Sequence, residues 1–151
     1  IIRTMLRICG HALVFTLLLH GQAPGPSKPS LRERATGGDA EAQFNLAKLY
    51  EAGRSGLKKD YAEAAKWYRL SSEQGDPYAQ ASLGILHRFG KGVEQSNVKA
   101  YFWFSLAVLQ TSGGERESIR EMRDAAASKL SRAELEESNR LVREWKAKSS
   151  Q

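Results

Sequence analysis

The sequence predicts an all-α protein, a short right-handed α-solenoid of about three antiparallel helical hairpins. Three observations carry this. A block starting at Gly38 recurs from Gly75, an internal repeat at a period suited to stacked hairpins. Within each copy, apolar residues return at helical spacing and the runs are bounded by Asp or Ser on one side and Gly on the other. After the second copy comes a stretch with one apolar and one charged face, the pattern of a terminal cap.

The chain has 151 residues, about one domain's worth. From Met5 it reads as a secretory signal over residues 1–23. Arg7 is the positive start, Ile8 to Leu19 an apolar run, and Gly21-Gln22-Ala23 the small residues of a cleavage site. The run is too short to cross a bilayer as a helix, so no membrane insertion is expected once the signal is removed. The expected location is periplasmic or secreted, or cytoplasmic if the first 23 residues are a mis-called start. Residues 24–37 read as a Pro/Gly/Ser-rich linker, because Pro24, Pro26 and Pro29 cannot continue a helix.

The two repeats span residues 38–112. At an offset of 37, Gly38, Asp39, Ala42, Gln43, Leu46, Leu49 and Gly53 meet Gly75, Asp76, Ala79, Gln80, Leu83, Leu86 and Gly90. One extra residue in the first copy shortens the offset to 36. Gly56, Ala64, Trp67, Leu70 and Gln74 then meet Gly92, Ala100, Trp103, Leu106 and Gln110. In the first copy Asp39 caps a helix striped by Ala42, Leu46, Leu49 and Tyr50, and Gly53 ends it. Asp60 caps the second, striped by Tyr61, Ala64, Ala65 and Tyr68. In the second copy Asp76-Pro77 opens the first helix, Gly90-Lys91-Gly92 makes the turn, and Ser96 or Asn97 caps the next. That last helix, from Val98 to Leu109, is apolar almost all round and needs cover on more than one side.

Residues 113–148 are expected to supply that cover as a capping hairpin. Ile119, Met122, Ala126 and Leu130 make one stripe. Ser131 and Glu134 form a capping box ahead of a second, with Leu135, Ser138, Leu141, Val142 and Trp145 inward. Gly113-Gly114 reads as a helix break.

With Tyr78-Ala79-Gln80, Leu83-Gly84, Gly90-Lys91-Gly92-Val93, Lys99-Ala100 and Trp103, the second copy resembles the Sel-1-like repeat, a relative of the tetratricopeptide repeat. The first copy carries Ala42-Gln43, Leu46, Tyr50, Gly53, Gly56-Leu57, Asp60, Ala64 and Trp67 of the same pattern. Ala47, His87 and Ser71-Ser72 depart from it. The closing Leu141-Val142-Arg143-Glu144-Trp145 is similar to the last helix of exported bacterial members. The resemblance implies a scaffold that holds a protein or peptide partner, not an enzyme.

Composition fits that class. The formal charge is +6. Residues 1–38 hold five cations and one Glu, while residues 39–151 hold 18 cations and 16 carboxylates. The repeat region is thus nearly balanced, which argues against nucleic acid as a partner. Cys9 alone permits no disulfide and no cysteine metal site, and His11, His20 and His87 share no ligand spacing, so no metal and no cofactor are expected.

No catalytic set emerges. Ser55 with Lys58 and Ser96 with Lys99 match the S-x-x-K string of serine β-lactamases, but no S-D-N or K-T-G string accompanies them. Two alternatives stay open: a β-lactamase-like or penicillin-binding enzyme, and a purely structural, self-associating repeat. His87 is expected on a packing face. The candidate partner surface is the concave face made by the first helix of each hairpin: Glu41, Phe44, Lys48 and Glu51 in one copy, Tyr78, Ile85, Arg88 and Phe89 in the other.

Overall fold

The computed structural model describes residues 29–149. The signal expected over 1–23 and the start of the linker lie outside the described residues. Seven helices follow in order: α1 (Leu31–Thr36), α2 (Ala40–Ala52), α3 (Tyr61–Glu73), α4 (Pro77–Phe89), α5 (Asn97–Gln110), α6 (Gly113–Ala127) and α7 (Arg132–Ser149). There is no strand among the described residues. The architecture is an all-α solenoid.

The helix starts follow from short polar side chains. Asp39 accepts from the Ala42 amide at 3.0 Å, Asp76 from Ala79 at 2.8 Å, and Ser96 from Lys99 at 3.2 Å. Asp60 serves both the Ala62 and Glu63 amides at 2.9 Å. Each cap satisfies amides that a first turn otherwise leaves free. Gly53 and Gly90 end α2 and α4 at φ 66° and 63°, a conformation glycine adopts without steric cost.

The linker expected over 24–37 is corrected at its end, where α1 forms. Ser30 and Glu33 build a reciprocal capping box, Ser30 accepting from the Glu33 amide while Glu33 accepts from the Ser30 amide. A six-residue helix is marginal alone. It persists because Ala35 is buried beside Ala42 and Leu46, with Leu31 packed on them. Its bonds repeat those that end α3: Gly38 N–H to Ala35 O at 3.1 Å matches Gly75 N–H to Ser72 O at 3.0 Å. α1 therefore stands where the last turns of a preceding second helix would stand.

A buried glutamine ladder locks each repeat to its neighbour. Gln43 donates to the Ala35 carbonyl at 3.1 Å and accepts from Gln74 at 2.7 Å. Gln80 donates to the Ser72 carbonyl at 3.2 Å and accepts from Gln110, also at 3.2 Å. The same side chain thus fills carbonyl valences at the end of one helix and pairs with the end of the next.

α2 pairs with α3, α4 with α5, and α3 packs on α4. Gly84 permits the α4–α5 approach: a Cβ there would lie 2.7 Å from the Phe104 ring. α5, apolar all round, is covered on separate faces. Ala100, Phe104, Ala107 and Val108 meet Ile119 and Ala126 of α6. Phe102 and Trp103 meet Trp145 of α7, with ring centroids 5.9 and 5.6 Å apart. The closing unit therefore differs from the hairpin expected over 113–148. α6 and α7 scarcely touch each other, and both pack on α5. Burying both apolar faces of α5 outweighs any gain from pairing two helices whose remaining faces are charged. Gly113 and Gly114 stand at the break between α5 and α6 and open α6, Gly113 at φ 57°.

The two repeat tryptophans also part company. Trp103 is buried, whereas Trp67 is half-buried between the cluster around Leu83 and the cluster of Ala35, Ala42 and Leu46, because no described helix covers α3 as α7 covers α5.

Candidate functional site

The first helices α2, α4 and α6 share one face. Rings of Phe44 on α2 and Tyr78 on α4 sit 6.3 Å apart. The Tyr78 hydroxyl donates to Glu115 on α6 at 3.0 Å, and Arg88 reaches the Met122 carbonyl of α6 at 3.5 Å. The Glu115 bond raises the Tyr78 phenol pKa, since a carboxylate favours the protonated donor.

The eight candidate residues fall into two groups. Glu41 is exposed, 4.0 Å from Arg34 of α1, which is bound to Asp39. Phe44 is half-buried, 5.8 Å from the Tyr68 ring, and Lys48 lies over it at 5.3 Å. Glu51 is committed inward: it accepts from the Tyr68 hydroxyl at 2.6 Å. Burial, and secondarily this bond, push the Tyr68 phenol far up. Tyr78 is 47% exposed and completes this first group. The second group is Ile85, Arg88 and Phe89. Ile85 is half-buried against the α5–α6 cluster. Phe89 is 59% exposed with the Arg88 guanidinium 5.4 Å from its ring.

Glu115 belongs to this face and was missed, and Met122, read from the sequence only as part of an inward stripe, adjoins the face through its carbonyl. The signal was present: the 37-residue step leads from Glu41 to Tyr78 to Glu115, and from Lys48 to Ile85 to Met122. α6 keeps the register of a first helix although the apolar identities of the repeat are gone. Also missed as site residues were Lys59 and Lys91, in the loops joining each first helix to its second, and Tyr61 at the start of α3.

The chemical strings take structural places. Ser96 caps α5, and the Lys99 ammonium turns to Glu94 at 3.5 Å. His87 is 3% exposed, its Nδ1 bonded to the Glu94 carbonyl at 3.2 Å. Burial lowers its pKa. Among the described residues no group of three His, Cys, Asp or Glu side chains could hold a metal ion, and no helix is long and apolar enough to cross a membrane. A separate cavity of about 210 Å³ lies between α5 and α7, lined by Val98, Phe102, Leu141 and Trp145.

Stacked helical hairpins with a glutamine ladder between them define a helical-repeat protein. Residues 40–76 and 77–112 each match the family model for the Sel1 repeat; the chain carries two Sel1 repeats. A solved structure with 34% identity and a TM-score of 0.68 covers 76% of this chain and 24% of its own; it is c5321, described as a protective antigen of uropathogenic Escherichia coli displaying an SLR fold. Localization factor PodJL of Caulobacter vibrioides is 51% identical over 37 residues, which are 24% of this chain and 4% of that protein. The chitin synthase regulator SKT5 of Saccharomyces cerevisiae is 31% identical over 88 residues, 58% of this chain and 13% of that protein. The chain thus spans only a small part of the relatives it matches.

Proposed function

We propose that this protein is a non-enzymatic scaffold that holds a segment of a partner protein on the face lined by α2, α4 and α6. The observation that carries the reading is the Phe44–Tyr78–Glu115 path, which crosses all three first helices while Tyr78 stays 47% exposed. A large ring left open beside polar groups, at the centre of a face of three helices, has the composition of an interface anchor. A repeat shared with a localization factor and with a regulator of chitin synthase supports a role in positioning or regulating another protein.

The test is affinity capture from envelope extract with the wild type and with a Tyr78→Ala, Lys48→Ala variant. Both residues are exposed and outside the buried core. Capture should fall while the thermal melt stays close to wild type. Undiminished capture removes the face from the reading. Hydrolysis of nitrocefin by the purified protein would replace the scaffold reading with the β-lactamase-like one. Concentration-dependent light scattering without any captured partner would favour self-association.

Export to the periplasm or beyond is part of the proposal. It is supported by Arg7, the Ile8 to Leu19 run and Gly21-Gln22-Ala23, and N-terminal sequencing of the mature protein tests it.

A further inference from the structure

We propose that the loop edge of the two repeats is a second docking element, one that takes an acidic segment of the partner, with carboxylates flanking an aromatic or aliphatic side chain. This rests on the scaffold reading above and adds the chemistry of the partner.

Three cations meet over two rings at this edge. The Lys59 and Lys91 ammonium groups lie 4.9 and 5.5 Å from the centroid of Tyr61. Lys91 is also 5.8 Å from the centroid of Phe89, whose ring carries the Arg88 guanidinium at 5.4 Å. None of the three cations has a carboxylate within ion-pair distance among the described residues. Ring faces attract cations but do not neutralise them. The three charges are thus not neutralised by ion pairs, and they gather beside Phe89, a largely exposed ring.

The charge is local. Residues 53–60 and 88–95 contain Arg54, Lys58, Lys59, Arg88 and Lys91 against Asp60 and Glu94. Of those two carboxylates, Asp60 caps α3 and Glu94 holds Lys99. The chain from 39 to 151 has only two more cations than carboxylates, so these loops hold more than the whole excess.

The edge is also preorganised. Gly92, at φ 67°, sits so close to the start of α3 that a Cβ would lie 2.3 Å from the Tyr61 carbonyl carbon. That seat presses the second loop onto the first turn of α3 in the preceding repeat and fixes Lys91 over Tyr61. Gly53, at φ 66°, lies against the Lys59 backbone in the same way, a Cβ there falling 3.1 Å from it. A binder that finds its charges already placed loses less side-chain freedom on association. Specific spacing of three cations around two rings favours a peptide over a membrane or nucleic acid, either of which would be served by a broad, dense basic field.

The experiment is fluorescence anisotropy of a labelled peptide in which Asp and Glu flank a central Leu-Phe pair, with its Asn/Gln counterpart as control. The acidic peptide should bind roughly tenfold tighter than the control and weaken as salt rises. Lys59→Glu with Lys91→Glu should cost about tenfold in affinity and flatten the salt dependence. Phe89→Ala should weaken binding several-fold and leave the salt dependence in place. The proposal fails if the control peptide binds as well, if the double variant binds unchanged, or if phosphatidylserine vesicles or a single-stranded oligonucleotide bind more tightly with the same loss in the variant. The scaffold reading is judged separately, by capture with the Tyr78→Ala, Lys48→Ala variant, which leaves all three cations in place.

Discussion

Adding one methyl group at Gly84 tests whether the α4–α5 spacing is set by glycine. The new Cβ would lie 2.7 and 2.8 Å from two carbons of Phe104 and 3.1 Å from a third. Ordinary carbon contacts are at ~3.5–4.0 Å. Phe104 is fully buried, and its cluster with Ala107, Val108 and Ile119 leaves the ring nowhere to retreat. Two effects oppose. Alanine in a helix interior gains about 1 kcal/mol over glycine. Overpacking a rigid core costs ~1–3 kcal/mol, and a contact nearly 1 Å short belongs at the upper end. The net expectation is a loss of about 2 kcal/mol, or roughly 8 °C in melting temperature for a chain of this size. Differential scanning fluorimetry reads it. Phe104→Leu should suppress the effect, giving a coupling of at least ~1 kcal/mol in the double-mutant cycle. The register-equivalent Ala47 is fully buried, so Ala47→Gly should also destabilise, by about 2 kcal/mol from lost propensity and one lost methyl. A Gly84→Ala protein that melts above wild type, or strict additivity with Phe104→Leu, would refute the reasoning.

Trp103→Ala should cost ~3–5 kcal/mol and loosen α7, since Trp145 loses one of its two ring partners, the one at 5.6 Å; trypsin should then cut near Arg140 and Arg143, and an unchanged digest would count against it. Gln80→Ala should cost about 2 kcal/mol, because the Ser72 carbonyl and the Gln110 amide lose a buried partner together; a shift in denaturant midpoint at constant slope measures it. His87 predicts acid sensitivity. Burial lowers its pKa below the ordinary 6.5, so its contribution is fully present above that pH and is lost as pH falls toward the folded value, where the unfolded chain takes up a proton that the folded one does not. Melting temperature should therefore drop more for wild type than for His87→Phe between about pH 7.5 and about pH 5.

Much of the candidate face was legible in the sequence, and the part that was not has a physical reason. Placing Leu46, Leu83 and Leu86 inward set the phase of α2 and α4, and this left Tyr78 and Phe89 outside. Glu51 did not stay outside, because Tyr68 from the next helix reaches it with a buried hydroxyl. That bond joins residues 17 apart, and no pattern within one helix announces it. Glu115 was overlooked, and Met122 was placed only on the inward stripe, because α6 keeps the repeat's register without its identities. The Lys59–Tyr61–Lys91 cluster was hidden for another reason: it joins the loop of one repeat to that of the next, and only the seat of Gly92 on α3 brings them together.

The sequence by itself determined the elements of this protein. Caps at Asp39, Asp60, Asp76 and Ser96, turns at Gly53 and Gly90, and the matching stripes of two copies are local consequences of side-chain chemistry, so they can be read one helix at a time. Even α1 is written there, as Ser30 and Glu33 of a capping box that directly follows a proline-rich stretch. Tertiary structure decided which helix covers which. α6 and α7 each turn to α5 and not to one another, because α5 offers two apolar faces and each closing helix has only one to bury. That choice depends on the competition among surfaces distant in sequence, which is settled by the area each arrangement removes from water and is visible in no single segment.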